Sequence, residues 1–150
     1  MVRTADPAKR GFTDADFPRM VKVADGVYTY EDYHSGAEKF TTTNLIVVTR
    51  EGVLVADGQG SVAQTKGLVD AIAKLTPLPI KYVVIASDHG DHTAGNAAFP
   101  ADVTWIVHPV SKATLDASAS GGRGGAGWKL PVTATVVADT LPITLGGERI

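Results

Sequence analysis

The stretch Tyr82-Val83-Val84-Ile85-Ala86-Ser87-Asp88-His89-Gly90-Asp91-His92 passes from an apolar run straight into a cluster of metal-type ligands. From residue 80 to 86 the chain is apolar apart from Lys81, which predicts a buried strand. His89, Asp91 and His92 follow within four residues. Imidazole nitrogen and carboxylate oxygen are the borderline ligands that suit Zn(II) and Fe. In an extended segment residues 89 and 91 point the same way, while His92 opens the next turn and points elsewhere. Such a loop offers ligands to one ion or to two adjacent ones. It also lies where α/β sheets place their sites, beyond the C-terminal end of a strand. The plain alternative is a pair of surface histidines with an aspartate orienting one of them. The buried strand before the loop and the small residues after it favour the metal reading.

Working outward, Asn44-Leu45-Ile46-Val47-Val48-Thr49 and Val53-Leu54-Val55-Ala56 read as two strands of a hairpin around the turn Arg50-Glu51-Gly52. Ser61, with Gln64 three residues on, has the spacing of a capping box. Leu68, Ile72 and Leu75 then form one apolar helix face, which Pro77 and Pro79 close. Residues 93–99 suggest a short helix, and Val103-Thr104-Trp105-Ile106-Val107 a further strand with Trp105 in the core. Strands and helices thus alternate from residue 44 to 107, which is α/β order. Upstream, residues 1–20 read as a polar arm and 21–150 as the domain. Gly26-Val27-Tyr28-Thr29-Tyr30 is rich in strand formers, with Tyr28, Tyr30 and Tyr33 expected to pack, and residues 31–43 read as a polar connection. Downstream, residues 118–127 are rich in Gly, Ser and Ala, and 132–138 and 143–145 return to strand character. Gly146-Gly147-Glu148-Arg149-Ile150 reads as a turn opening into another strand, so the domain is expected to be truncated at its C-terminus.

These segments together resemble the metallo-β-lactamase superfamily. The likeness rests on Asn44-Leu45-Ile46-Val47-Val48, Gly52-Val53-Leu54-Val55-Ala56-Asp57-Gly58, Tyr82-Val83-Val84-Ile85-Ala86 and His89-Gly90-Asp91-His92-Thr93-Ala94-Gly95-Asn96. It covers roughly residues 21–109. The resemblance implies an αββα sandwich of two similar halves, of which this chain holds the N-terminal half or so. It implies a Zn centre of one or two ions, with Fe as the other candidate. His89 then corresponds to a ligand of the first metal position, and Asp91 and His92 to ligands of the second. Asp57 corresponds to an acidic residue that supports the site from behind; a plain turn residue in Asp57-Gly58 is the even alternative. The implied activity is hydrolysis of an ester, amide, thioester or phosphodiester, with Asp91 as both ligand and catalytic group orienting the activated water.

Two departures limit that activity. Ser87 stands where the family's first motif histidine would be, and a hydroxyl is a poor Zn(II) ligand beside imidazole. Asp88 is a weak substitute, since it alternates away from Ser87 and His89. The family's further histidine ligands come from segments beyond residue 150, and only His34 and His108 are otherwise present. The alternative to an enzyme is therefore a non-catalytic or incomplete member, kept as a binding or assembly module that self-associates through an uncovered sheet face.

Composition narrows the remaining classes. With 14 basic and 16 acidic residues the net charge is -2, which supplies no basic field for nucleic acid or an anionic membrane. The expected partner is a small-molecule substrate. The absence of cysteine excludes disulfides, thiolate ligands and cysteine nucleophiles. No apolar run reaches the roughly 18 residues of a membrane span, and the N-terminus lacks the apolar core of a signal peptide, so a cytoplasmic location is expected. Gly122-Arg123-Gly124-Gly125-Ala126-Gly127 matches a dinucleotide fingerprint formally, but neither a strand before it nor a helix after it supports one.

Overall fold

The computed structural model describes residue 4 and residues 6–33, 39–119 and 128–150. Its centre is a seven-stranded sheet with the strands in sequence order. β1 (Arg19–Ala24), β2 (Val27–Tyr33), β3 (Thr41–Val48) and β4 (Val53–Ala56) are antiparallel neighbours. β5 (Ile80–Ile85), β6 (Thr104–Val107) and β7 (Thr135–Val136) then add in parallel to β4. The switch from hairpins to parallel pairing comes where α1 (Val62–Leu75) is inserted between β4 and β5, since a parallel neighbour needs a crossover. α2 (Gly90–Thr93) is one turn, and α3 (Pro109–Ala119) makes the crossover to β7.

The cap of α1 is the one its sequence announces. Ser61 Oγ accepts the Gln64 amide at 3.2 Å, satisfying one of the free donors of the first turn. The Gln64 side chain bonds the Ser61 hydroxyl and also the carbonyl of Tyr33, tying the helix start to β2.

Both long helices cover the same face. Leu68 and Ile72 of α1 and Leu115 of α3 pack with Ile46, Val53, Val55, Val83, Ile85, Trp105 and Val107. Tyr30 lies in this core and Tyr28 packs against it. The opposite face carries Leu54, Val84 and Ile106, and is capped by a hairpin of β8 (Thr144–Leu145) and β9 (Glu148–Arg149) through Ile143, Leu145 and Ile150. That hairpin turns on Gly146 and Gly147, at φ 60° and 86°, conformations that suit glycine.

Several expectations need correction. Residues 31–33 and 41–43 are strand, not connection: Glu31 pairs with Thr43 and Tyr33 with Thr41 in the β2–β3 ladder. The polar side chains survive there because Glu31, 5% exposed, is met by Arg10, Arg19 and Thr41. The ladder of β1 opens at Arg19, and part of the preceding segment is ordered against β2. Phe17 stacks edge-on against Tyr33 with ring centroids 4.9 Å apart, and Arg19 lies over Phe12 at 4.1 Å. Helix formation after β5 begins at Gly90, earlier than residue 93, and continues only as a 3-10 turn at Asn96–Ala98. Of residues 132–138, only Thr135–Val136 joins the sheet. The glycine-rich motif at 122–127 and His34 lie outside the described residues. Among the described residues, no helix is long and apolar enough to cross a membrane.

Candidate functional site

Three polar elements meet beyond the C-terminal ends of β4 and β5. The first is Asp57, directly after β4, 4% exposed and at φ 66°. A non-glycine residue in the left-handed region carries a backbone cost that its surroundings must offset. The offset is visible: Asp57 Oδ1 accepts the amides of Ala86 at 2.7 Å and Ser87 at 3.2 Å. One carboxylate oxygen thereby fixes the chain as it leaves β5. The other, Oδ2, lies 3.3 Å from His92 Nδ1. Asp57 is therefore more than a plain turn residue in its contacts: it braces the chain after β5 and faces His92.

The second element is the loop itself. Its amides and hydroxyls are spent on its own shape. Ser87 Oγ accepts the His89 amide at 3.4 Å, and Thr93 Oγ1 donates to the His89 carbonyl at 2.9 Å. The segment is not extended past His89, because the turn of α2 starts at Gly90. The pairing of residues 89 and 91 inferred from an extended chain therefore gives way to another. Asp91 Oδ2 lies 3.3 Å from His92 Nε2 and accepts the Thr42 hydroxyl of β3 at 3.3 Å. His89 is exposed, and its ring has no hydrogen bond or ion pair among the described residues. Asp88 is half-buried, and its carboxylate likewise has no hydrogen bond or ion pair among the described residues. His108 is exposed, and its Nδ1 accepts the Val110 amide at 3.2 Å in the first turn of α3.

The third element is a backbone seam under the loop. Gly58 donates its amide to the His92 carbonyl at 2.9 Å, and Gly95 donates to the Gln59 carbonyl at 2.9 Å. The two glycines allow this approach. A Cβ on Gly58 would stand 2.2 Å from Asn96 Oδ1, and one on Gly95 would stand 2.0 Å from Thr65 Oγ1. The loop after β4 and the loop after β5 are thus held together by backbone hydrogen bonds.

His92 sits between two carboxylates. Asp57 beside Nδ1 raises its pKa above the ordinary 6.5; burial opposes this, and Asp91 adds a smaller push upward. The same geometry has a second meaning for a metal. A carboxylate 3.3 Å from Nδ1 stands where the support of a metal-bound histidine usually stands, and Nε2 is turned toward Asp91. Asp91 and His92 fit Zn(II) or Fe in donor chemistry and in proximity. They do not fit in number: among the described residues, no group of three His, Cys, Asp or Glu side chains is placed to hold an ion.

Asp57, Asp91 and His92, expected together from the sequence, lie side by side here, and Thr42, not expected among them, joins them. It was read as a loop residue, and only the ladder of β3 brings its hydroxyl to Asp91. No sequence signal announces that contact.

The fold defined by this sheet, with its His- and Asp-bearing loop after β5, is the metallo-β-lactamase fold. Three solved metallo-β-lactamase structures share it. The protein from Pontibacter korlensis aligns with TM-score 0.67 at 19% identity, over 87% of this chain and 57% of its own. That from Hirschia baltica gives 0.63 at 18%, over 86% and 57%. That from Erythrobacter litoralis, solved with β-mercaptoethanol in its active site, gives 0.60 at 22%, over 72% and 48%. The chain spans about half the length of these structures. No family model and no curated protein matches its sequence.

Proposed function

We propose that this chain carries the ligand-loop half of a metal-dependent hydrolase, acting on an ester, amide, thioester or phosphodiester. The observation that carries this reading is the Asp57–His92–Asp91 row, in which one carboxylate orients the imidazole and the other stands at its ligating nitrogen. Zn(II), when bound, supplies a Lewis acid and lowers the pKa of its water to ~7. Asp57 holds the His92 ring and anchors the chain at Ala86 and Ser87. Asp91, kept in place by Thr42, presents a carboxylate beside Nε2, where it can orient water and accept its proton. His89, exposed at the loop tip, is free to join once further donors are supplied, and Ser87 contributes to loop shape in place of ligation. Activity then depends on donors beyond those placed beside Asp91 and His92 among the described residues.

Calorimetric titration of the chain with Zn(II) tests the reading. Weak binding is expected, lost in His92→Ala and in Asp91→Ala. No heat above dilution for the intact chain would remove the metal reading.

A second reading has its own observation. On the face opposite the helices, Val21 and Leu45 are exposed on either side of Thr29, with no charged residue among their cross-strand partners Thr29 and Ala56, and Val23 is exposed at the β1 bulge beside them. A module that pairs through this face with a second copy would give a dimer by light scattering that Leu45→Lys converts to monomer. A wild-type monomer at high concentration counts against it.

A further inference from the structure

We propose that Asn44 is the positioning residue of this site: its carboxamide holds Asp57 in the backbone conformation from which the carboxylate braces the ligand loop. The proposal rests on reading Asp57 and His92 as parts of a functional site. Asn44 lies on β3, one residue before the ladder with β4 begins at Leu45 and Ala56. Its side chain therefore extends past the end of β4, where it is 1% exposed. Nδ2 donates to the carbonyls of Gly58 at 2.8 Å, Asp57 at 3.1 Å and Ala56 at 3.3 Å.

That pattern is foreign to a strand, in which successive carbonyls point to opposite sides. Three successive carbonyls can turn toward one nitrogen only where the chain coils back on itself, and the φ of 66° at Asp57 is that coil. Aspartate tolerates the left-handed region better than most residues, yet still at a cost. The two protons of the Asn44 amide, shared among three acceptors, offset it. The orientation of the amide is fixed in turn. Gln59 Nε2 donates to Asn44 Oδ1 and to the Thr42 carbonyl, and the Gln59 amide donates to Thr65 Oγ1 at 2.9 Å. Gln59 is fully buried, so the amide of Asn44 cannot flip without stranding a buried donor.

Other side chains fail for stated reasons. Aspartate has no donor. Serine and threonine carry a single one. Glutamine is longer by a methylene in a fully occupied space. Asn44 touches neither His92 nor Asp91; it acts through Asp57.

Amide hydrogen exchange by NMR on the metal-free chain tests the role. The reporters are Ala86 and Ser87, which donate to Asp57, and Leu68 and Ile72 in the middle of α1, which report global stability. In Asn44→Ala, protection at Ala86 and Ser87 is expected to fall about tenfold further than at Leu68 and Ile72. Asn44→Thr keeps strand propensity and one donor, and it serves if the alanine variant does not fold; it should show the same difference to a smaller extent. An equal fall at all four amides overturns the proposal, as does unchanged protection at Ala86 and Ser87. The exchange rates involve no metal, so this failure is distinguishable from a failed Zn(II) titration.

Discussion

Leu45 and Ile46 are neighbours on one strand and live in different worlds: Leu45 is 42% exposed and Ile46 is 0%. The alternation of β3 sends one to each face of the sheet. On the helix side, α1, α3 and the segment around Phe99 close a continuous apolar core. On the other side, two separate devices cover parts of an apolar surface. The N-terminal segment uses ions, with Arg10 and Arg19 on Glu31. The β8–β9 hairpin uses Ile143 and Leu145. Between them Val21, Val23 and Leu45 are left to solvent. The difference teaches that one sheet can be closed to different degrees on its two faces. The His-bearing loop after β5 belongs to the closed side: its braces come from β3, β4 and the start of α1.

The sharpest way to break that contrast is Leu68→Ala. It should cost about 3 kcal/mol by urea denaturation, because it opens a cavity in the closed core. A loss below about 1 kcal/mol would mean that the helix face is no better packed than the open one. Next in size, Asp57→Ala should cost about 2 kcal/mol, since it strands the amides of Ala86 and Ser87 and leaves alanine at a left-handed φ. Asp57→Gly should recover about 1 kcal/mol of that, because glycine adopts φ 66° freely. Equal stability of the two variants would show that strain plays no part there.

A smaller effect concerns the ionic cover. Burial pushes the Glu31 carboxyl upward, but Arg10, Thr41 and Arg19 outweigh it and hold the pKa below 4.5. A lowered folded-state pKa gives stability that is present above 4.5 and is lost as the pH falls through the folded value. Wild-type stability should therefore drop in that acid window more steeply than that of Glu31→Gln. Parallel pH curves for the two proteins would detach Glu31 from the acid response. Smallest of all, Leu45→Ala should shift stability by no more than about 0.5 kcal/mol, measured by the same urea series.

The parts of this fold that could be read in the sequence are those whose signal is local. The β3–β4 hairpin, the Ser61 cap, the face of α1 and the run of β5 each announce themselves within a dozen residues. What escaped depends on partners far away. Thr41, Thr42 and Thr43 look like a loop until β2 is laid beside them. α3 gives little periodic signal, because among its described side chains Leu115 alone packs against the core. In the site, the residue types of Asp57, Asp91 and His92 were legible, but their mutual arrangement was not. It follows from a helical turn at Gly90 and from two backbone contacts across the seam, neither of which leaves a pattern in residue spacing.

The seam of Gly58 and Gly95 sets where this molecule can tolerate change. At His89 the side chain stands in water, and a Cβ on Gly90 would meet nothing within 4 Å. At 58 and 95 a hydrogen atom is the largest side group that fits. A library that diversifies the loop tip while keeping both glycines would explore new ligand sets on an unchanged frame. One that touches either glycine would part the loops first, whatever chemistry it was meant to bring.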